Sequence, residues 1–389
     1  MELRVSVQDL SRVLSLTQGI VQRKNTMPIL ANVLVEVSSK DGGTLRVSAT
    51  DLDVGIRTER PCEVIADGSV TIPARAIADM VRVLPGPDVH LKKLPNNHVE
   101  VKSGRTKAKL MGMSADEFPK LPSYDDVPFA KLDARLFQDM VDKTMYAAST
   151  DETRYNLNGV LFESAPKSAE TNGVVVMVAT DGHRLVRIER KFEGLDGEQL
   201  RVKDRSVILP RKGLGEIKRF LDAEDPQKGG TATDDALEVG LRDNHAVFRR
   251  GRTVLGMRLI DGAFPDYKQV IPSLSDKVVR ISRGDFIESL KRVSVLASEK
   301  GQPVKLSLKK DELKVACINP DAGDIVDDMP VEYAGAAIDV AFNVRYLIDA
   351  LMTLDGQNML LKLTDNLSPG LVVGVDEPNH ICVVMPMRL

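Results

Sequence analysis

Tryptophan is missing from this sequence, and aromatic residues make up only 4% of its 389 residues. Such a scarcity disfavours a carbohydrate site or a stacking surface for single-stranded nucleic acid, because both depend on aromatic rings. There is no run of about 18 apolar residues, so we expect no membrane-spanning helix and no membrane partner. The opening MELRVSVQDL lacks the basic and apolar regions of a signal peptide.

The sequence also has few cysteines and a small net charge. The three thiols, Cys62, Cys317 and Cys382, are scattered without metal or redox spacing. We therefore expect no metal site and a reducing, cytoplasmic location. No glycine-rich phosphate loop is present, and we expect no cofactor. A net charge of -3 gives no sign of nucleic-acid binding at the level of the whole chain.

One pattern occurs three times along the chain: a short β-like run, a Pro or Asn, and an amphipathic helix. Its copies are VTIPARAIADMVRVL (Val70 to Leu84), VILPRKGLGEIKRFL (Val207 to Leu221) and VAFNVRYLIDALMTL (Val340 to Leu354). The anchor residues Pro73, Pro210 and Asn343 lie 137 and 133 residues apart. This spacing is the size of a domain, whereas solenoid repeats recur every 20–50 residues or so.

Other segments recur in the same order. LRVSATD ends at Asp51 and VVMVATD ends at Asp181, and both predict a strand that leads into a turn. The capping residues Ser6, Asp133 and Ser282 predict that a helix opens each repeat. Each repeat is then helix, strands, helix, strands, which favours an α+β fold with antiparallel sheets. Pro- and Asp-rich stretches place the boundaries of three similar domains at 1–127, 128–276 and 277–389.

Positive charge is concentrated in the predicted helices. Counted over Lys, Arg, Asp and Glu, the six helical segments carry a net +6 and the remaining residues carry -9. Exposed helix faces are often charged, and this alone would be the ordinary explanation. Because the repeat places like helices at like positions, a basic surface that attracts phosphates without reading bases is the more informative interpretation.

Five longer motifs carry a family resemblance that runs over the whole chain. They are RYNLNGVLFE (Arg154 to Glu163), VATDGHRL (Val178 to Leu185), ILPRKG (Ile208 to Gly213), FPDYKQVIP (Phe264 to Pro272) and VVMPMRL (Val383 to Leu389). Together they resemble the beta subunit of bacterial DNA polymerase III, the DNA sliding clamp. The resemblance implies three clamp domains, each with two helices on the inside and antiparallel sheets outside, and a head-to-tail homodimeric ring around duplex DNA. It also implies a non-catalytic, nucleoid-associated processivity factor.

The resemblance further implies a pocket that binds short linear motifs of polymerase subunits and of the clamp loader. Its deeper part would contain Leu157, Thr180, Gly182, His183, Arg184, Leu185, Pro265, Val270, Val383 and Met385. The shallower part would contain Tyr155, Asn343, Tyr346, Pro386, Met387 and Arg388. Asn156 and Pro369 depart from the family pattern, where a second aromatic residue and a small hydroxyl residue can stand.

For contact with DNA the resemblance points to Lys24, Arg75, Arg105, Arg211 and Lys212, and the charge of the neighbouring Arg23 adds a sixth residue. Lys and Arg side chains near helix starts suit attraction to phosphates that does not depend on base sequence.

Three alternatives remain open from the residues alone. Thr180, Asp181 and His183 could form a catalytic group, although the equivalent segment at Thr50 and Asp51 has no histidine. A scaffold that binds peptides but never encloses DNA would share the same pocket. The alternating apolar residues of VVMPMRL could simply belong to a core strand.

Overall fold

The computed structural model describes residues 1–21, 27–164, 173–195, 200, 206–225, 236–273, 275–297 and 303–388. This part of the chain contains six α-helices, and none of them is long and apolar enough to cross a bilayer. The helices are α1 (Val7–Thr17), α2 (Ala74–Val81), α3 (Ala134–Thr144), α4 (Arg211–Glu224), α5 (Arg283–Ser294) and α6 (Val344–Thr353).

Twenty-six strands lie in the same described residues. The first half comprises β1 (Glu2–Ser6), β2 (Asn32–Ser38), β3 (Thr44–Thr50), β4 (Val54–Pro61), β5 (Glu63–Ala66), β6 (Gly68–Pro73), β7 (Asp88–Lys93), β8 (Val99–Ser103), β9 (Thr106–Leu110), β10 (Phe129–Asp133), β11 (Gly159–Ser164), β12 (Val174–Thr180) and β13 (Arg184–Lys191). The second half comprises β14 (Val207–Pro210), β15 (Ala236–Arg242), β16 (His245–Arg250), β17 (Thr253–Arg258), β18 (Lys277–Ser282), β19 (Pro303–Lys309), β20 (Glu312–Asn319), β21 (Gly323–Pro330), β22 (Ile338–Asn343), β23 (Asn358–Leu363), β24 (Gly370–Gly374), β25 (Glu377–Val384) and β26 (Pro386–Met387).

The threefold pattern of the sequence is present as three strand–helix pairs. β6 leads into α2, β14 into α4, and β22 into α6, each at the predicted Pro or Asn. The prediction that each repeat opens with a helix is wrong in one respect. A strand, β1, β10 or β18, precedes α1, α3 and α5 respectively. These strands are only 5 or 6 residues long and carry charged residues, so their alternating pattern is weak.

The predicted helix caps are only partly present. The Ser6 hydroxyl accepts a hydrogen bond from the Asp9 N–H at 2.9 Å, and the Asp133 carboxylate accepts one from the Leu136 N–H at 2.8 Å. Ser282 is the N-cap residue of α5, but its side chain makes no capping hydrogen bond. On α3 the side chains of Phe137, Met140 and Val141 are fully buried, and Leu136 is half-buried.

Two compact units divide the chain. The first consists mainly of Met1–Gln138 and Lys212–Leu259, and the second mainly of Asp139–Gly197, Arg205–Arg211 and Ile260–Leu389. The middle repeat therefore contributes strands to both units. Each unit contains one five-stranded and one eight-stranded sheet.

In the first unit the five-stranded sheet has the order β5-β1-β7-β8-β9, and the eight-stranded sheet has the order β10-β15-β16-β17-β4-β3-β2-β6. Every pair in both sheets is antiparallel. The helices α1 and α2 pack against each other in this unit. The ladder between β17 and β4, which pairs Thr253 with Thr58, joins the middle repeat to the first repeat.

The second unit follows the same plan. Its eight-stranded sheet has the order β14-β11-β12-β13-β25-β24-β23-β18, and its five-stranded sheet has the order β21-β20-β19-β22-β26. The helices α5 and α6 pack together. Here the ladder between β13 and β25, which pairs Leu185 with Val383, joins the middle repeat to the last one.

A buried ion pair lies beside the β17–β4 ladder. The Arg60 guanidinium donates to the Glu224 carboxylate at 2.8 Å, and the two side chains are 2% and 0% exposed. The Thr253 hydroxyl donates to the same carboxylate oxygen at 2.7 Å, and Arg250 donates to the Leu221 carbonyl at 3.0 Å. Charges this deeply buried stabilise a fold only while every partner is present.

A second cluster lies beside the β13–β25 ladder. The Lys143 ammonium contacts the carboxylates of Glu377 at 2.7 Å and Asp355 at 2.5 Å, and Arg190 also contacts Glu377. Burial raises the pKa of Glu377, but hydrogen bonds from His380 and Lys143 outweigh it and hold that pKa well below its usual range. Burial opposes protonation of His380, yet its hydrogen bonds to Cys382 and Glu377 raise its pKa to about 9. The imidazole is therefore protonated at neutral pH.

The pair between Arg60 and Glu224 gives a stability prediction. The substitution Glu224→Gln leaves the Arg60 cation buried without a carboxylate, and we expect a loss of about 3 kcal/mol, or roughly 6–12 °C in Tm. The double variant Arg60→Met, Glu224→Met removes both charges and should recover most of the loss. Differential scanning calorimetry measures the effect.

The control for this prediction is Asp79→Asn. Asp79 pairs with Arg75 at 3.5 Å on the exposed face of α2, and its replacement should change the stability by less than about 0.5 kcal/mol. Equal Tm values for Glu224→Gln and Asp79→Asn would contradict a structural role for the buried pair.

Candidate functional site

A cavity of about 160 Å³ lies in the second unit, beside the ladder of β13 and β25. Its lining is largely apolar and consists of Leu157, Thr180, Gly182, Arg184, Leu185, Pro265, Tyr267, Val270, Val383 and Met385. Leu185 and Val383, which face each other across the ladder, are almost fully buried, whereas Val270 and Met385 are 36% and 38% exposed. The cavity thus has a fixed floor that belongs to the core and a partly open rim.

One wall of the cavity is the segment that contains Pro265 and Tyr267. The Tyr267 hydroxyl donates to the Glu163 carboxylate at 2.8 Å. Burial and the neighbouring Glu163 raise the pKa of Tyr267 to about 12, so the phenol keeps its proton. The Asn156 amide donates to the Ala263 carbonyl at 2.9 Å and attaches the same segment a second time. Asn156 therefore has a defined structural role at a position where the family can have an aromatic residue.

The turn from Thr180 to Arg184 forms another side of the cavity. The Asp181 carboxylate accepts hydrogen bonds from the N–H groups of His183 at 2.9 Å and Arg184 at 3.0 Å. The Thr180 hydroxyl accepts from the Gly182 N–H at 3.1 Å. Gly182 has a φ of 89°, which favours glycine, and a Cβ there would lie 2.8 Å from the end of the Arg154 side chain, which would have to shift.

Arg184 is held by a large number of contacts for a side chain at the edge of a cavity. Its guanidinium donates to Asp181 at 3.0 Å, to Asp349 at 2.6 Å and to the Tyr146 carbonyl at 2.8 Å. It also lies 5.1 Å from the ring centre of Tyr146 and 4.6 Å from that of Tyr346. Because each guanidinium nitrogen donates a hydrogen bond and two rings lie against the group, Arg184 is held in one position at the edge of the cavity.

A wider groove of about 1090 Å³ adjoins this wall in the same unit. Arg184 lines both the cavity and the groove, so its side chain lies between the two concavities. The groove is also lined by His183, Asn343, Arg345 and Tyr346 from the Thr180–Arg184 turn and the start of α6. The rings of His183 and Tyr346 stack with their centres 6.4 Å apart.

The structure brings most of the predicted pocket residues together. Nine of the ten residues expected in the deeper part line the cavity, and the tenth, His183, lines the groove instead. Of the shallower set, Asn343 and Tyr346 line the groove. The other four residues line neither concavity. Tyr155 and Arg388 are exposed, and Pro386 and Met387 form β26.

Sequence reasoning missed Tyr267 in the cavity and most of the residues that line the groove, Arg345 among them. Tyr267 lines the cavity, and the motif FPDYKQVIP contained the signal, because an aromatic residue two positions after Pro265 lies on the same side of an extended chain. Arg345 lines the groove, and its place in the first turn of α6, next to Tyr346, was the available sign.

The terminal segment does not form the single core strand of the simpler interpretation. β25 ends at Val384 in the eight-stranded sheet, whereas Pro386 and Met387 pair with β22 in the five-stranded sheet. Met385 lies between these strands, and its N–H donates to the His183 carbonyl at 2.9 Å. Val383 therefore packs in the core while Met385 stays at the rim.

The catalytic interpretation of His183 finds no geometric support. The Thr180 hydroxyl donates to the Arg184 carbonyl at 2.6 Å, and among the described residues the His183 ring has no hydrogen bond to Thr180 or Asp181. The same turn recurs in the first unit, where the Asp51 carboxylate accepts from the N–H groups of Asp53 and Val54. That copy has no histidine, so the Thr-Asp pair builds the turn.

The residues predicted to contact DNA lie on separate elements. Arg75 is in the first turn of α2 and pairs with Asp79, Arg105 is exposed in the turn between β8 and β9, and Arg211 begins α4. Lys212 is not a simple surface charge, because its ammonium contacts the buried Asp51 carboxylate. Arg23 and Lys24 lie outside the described residues.

Comparison with known proteins agrees with this architecture along the whole chain. Family models of the DNA polymerase III beta subunit match residues 1–122 (N-terminal domain), 131–266 (central domain) and 268–388 (C-terminal domain). The beta sliding clamp of Caulobacter vibrioides is 32% identical over 392 residues, which cover 100% of both chains. The chain belongs to the DNA polymerase III beta subunit family, the beta sliding clamps.

Solved clamps share the fold. The crystal structure of the Caulobacter crescentus clamp is similar with a TM-score of 0.90 at 31% identity, covering 100% of both chains. The Pseudomonas aeruginosa clamp bound to griselimycin has a TM-score of 0.89 at 30% identity, also covering 100% of both chains. The predicted fold class, an α+β chain of three clamp domains with antiparallel sheets, is confirmed.

The different burial of cavity residues gives a second stability prediction. Because Leu185 is also a core residue, Leu185→Ala should lower the free energy of unfolding by about 2–4 kcal/mol. Val270→Ala and Met385→Ala remove rim side chains and should each change it by less than about 1 kcal/mol. Urea titration followed by circular dichroism measures all three, and similar losses for the three variants would contradict the division into floor and rim.

Proposed function

We propose that this chain is a non-catalytic processivity factor. Two copies form a head-to-tail ring that encloses duplex DNA, and short linear motifs of polymerase subunits and of the clamp loader dock in the cavity and groove. The observation that carries the proposal is a cavity on a clamp fold, beside a groove, that is lined by nine of the ten residues that the family resemblance assigned to the deeper part of the pocket. Its three domains would be 1–127, 128–276 and 277–389, and its place of action the nucleoid in the cytoplasm.

The cavity supports docking of an apolar side chain. It has one fixed floor and a partly exposed rim, and Met385 at that rim can adjust its shape to different partners. A small apolar pocket with a few polar groups is typical of sites that bind short peptides through one or two anchors. The Thr180–Arg184 turn and the Tyr267 wall are held by internal hydrogen bonds, so docking would require little ordering of the protein.

Two free sheet edges support assembly of the ring. β9 is the last strand of one five-stranded sheet and carries the exposed Lys107 and Lys109. β21 is the end strand of the other and carries the exposed Asp324 and Asp328. An unpaired edge is a template for another strand. Because one edge is basic and the other acidic, pairing between two copies is favoured head to tail.

Such an interface joins two different surfaces, and it makes a closed oligomer only if the rotation between copies closes. In the proposed ring two three-domain chains meet at two identical interfaces, which is the closed case. DNA inside the ring would be attracted by scattered cations, of which Arg75, Arg105 and Arg211 are the described candidates. Lys212 is a weaker candidate because Asp51 already neutralises its charge.

Retention on DNA tests the function as a whole. Labelled protein, loaded onto nicked circular DNA by its loader and ATP, should stay on the circle during gel filtration and leave once a restriction enzyme linearises the DNA. A topological link is lost at free ends, whereas a scaffold bound by charge alone is indifferent to them.

The control for this experiment is DNA with protein-blocked ends, which should retain the ring after linearisation. A chain that is never retained, or that stays on open linear DNA at the salt of the circle experiment, would refute enclosure. The scaffold alternative would then hold.

A charge swap tests the interface. The double variants Lys107→Glu, Lys109→Glu and Asp324→Lys, Asp328→Lys each place like charges on both interfaces of a dimer. We expect the dimer dissociation constant of each variant to rise on the order of tenfold or more. A mixture of the two variants forms one native and one reversed interface and should dimerise again. Light scattering measures the mass.

Lys309→Glu, Lys310→Glu, at the end of β19 and in the turn that follows it, carries the same change in charge away from both edges and should remain a dimer. If each swapped variant alone stays dimeric, or if the mixture stays monomeric, β9 and β21 are not the paired edges.

A further inference from the structure

We infer that the groove beside the cavity accepts an acidic segment of the docked partner, and that Arg345, assisted by Arg211, selects it. This inference rests on the proposed docking function and adds a preference for charge to it. The relevant side chains all line the groove of about 1090 Å³ in the second unit.

The acidic residues of the groove are already engaged. Asp181 and Asp349 accept hydrogen bonds from the Arg184 guanidinium at 3.0 Å and 2.6 Å. Asp151 accepts from the Thr153 hydroxyl at 2.7 Å, which is the main reason why its pKa is lowered. Asp142 also has a partner. Asp181 and Asp349 are therefore the carboxylates of the groove that a guanidinium already neutralises.

The basic residues of the groove divide into two pairs. Each nitrogen of the Arg184 guanidinium donates a hydrogen bond, and Arg154 donates to the Asp181 carbonyl at 2.9 Å and lies 3.9 Å from the Asp151 carboxylate. Arg345 and Arg211 are exposed, and among the described residues neither guanidinium has an acidic partner. The lining side chains carry four positive and four negative charges, so the groove as a whole is neutral, but within the described residues its two cations without an acidic partner are Arg345 and Arg211.

The position of these two residues connects them to the cavity. Arg345 follows Asn343 and Val344 at the start of α6 and precedes Tyr346, whose ring lies against Arg184. Arg184 separates the groove from the apolar cavity and lines both. A peptide with an apolar anchor in the cavity and a few more residues would pass Arg184 and reach Arg345.

An arginine is suited to this role because its planar guanidinium binds a carboxylate through two parallel hydrogen bonds. In a concave, partly shielded groove this attraction is less screened than on an open surface. Basic segments are disfavoured by the same charges, so the groove discriminates by repulsion as well as by attraction.

The test uses synthetic fluorescein-labelled peptides. Each has a Leu-Phe anchor pair, a Gly-Ser spacer and three test residues, which are Glu, Gln or Lys, and each is made in both orders. Fluorescence anisotropy at about 50 mM salt should show the Glu peptide binding roughly three- to tenfold more tightly than the Gln peptide in at least one order, and the Lys peptide more weakly than both. The preference should shrink at about 300 mM salt because the charges are then screened.

The full-length variant Arg345→Gln should bring the ratio of Glu to Gln affinity close to one. Arg211→Gln should reduce the ratio in part, and Arg345→Lys should retain part of it. The matched control is Lys310→Gln, an exposed cation of the same unit outside the groove, which should keep the wild-type ratio.

Equal affinities of wild type for the Glu and Gln peptides, a preference for Lys, or an unchanged ratio in Arg345→Gln would overturn the inference. Failure of the docking function itself is recognised separately. If replacing Leu-Phe by Ala-Ala, or Met385 by Ala, leaves the affinity of every peptide unchanged, the cavity is not the docking site. Lack of binding by all of the peptides would overturn both.

Discussion

The ladders that join neighbouring repeats are the constraint on which the rest of this structure depends. β17 pairs with β4 and β13 pairs with β25, so each eight-stranded sheet continues without a break from one repeat into the next. Beside each ladder lies a buried group of charges, Arg60 with Glu224 in one unit and Lys143 with Glu377 in the other. Hydrogen bonds along a ladder fix the direction of its strands, while buried charges reject other registers, since a slip by one residue would leave an ion without its partner.

The same constraint explains where the cavity lies. In the first unit, Gly55 faces Gly256 across the ladder, and Leu121 and Tyr124 from the stretch between repeats approach these glycines closely enough to cover them. In the second unit, Leu185 and Val383 occupy the ladder, and the corresponding stretch with Pro265 and Tyr267 lines a cavity above them. Bulky side chains on the sheet hold the connecting segment away from it, whereas glycines let it approach. The same architecture therefore has a covered ladder in the first unit and a cavity beside the ladder in the second unit.

Sequence reasoning recovered the features that local chemistry encodes. The strand–helix pairs at Pro73, Pro210 and Asn343 and the α+β class followed from periodicity and from turn residues. The clustering of cavity residues came from the family resemblance, because the turn at Thr180 and the strand at Val383 are about 200 residues apart and only the sheet order joins them. The division of the middle repeat between two units, the Arg60–Glu224 pair and the contact of Lys212 with Asp51 could not be predicted, since all three depend on pairings across the chain. Lys212 shows why: helical periodicity predicts an exposed position for it, but the buried Asp51 carboxylate that it contacts belongs to another repeat.

The duplicated Thr-Asp turn has a consequence for how such a molecule can diversify. Leu52 occupies the position of Gly182 and has a φ of 82°, a conformation that costs a bulky residue about 1 kcal/mol or more. The hydrogen bonds of Thr50 and Asp51 nevertheless hold this copy in the same shape. The Thr and Asp side chains therefore fix the backbone shape of the turn. The residue that follows them can differ between the two copies, according to the groups that lie next to it. At 182 a bare backbone admits the Arg154 guanidinium, while at 52 a leucine projects into solvent. A turn of this kind can therefore present different side chains at its third position, because the two strands that it connects keep their pairing whichever residue stands there.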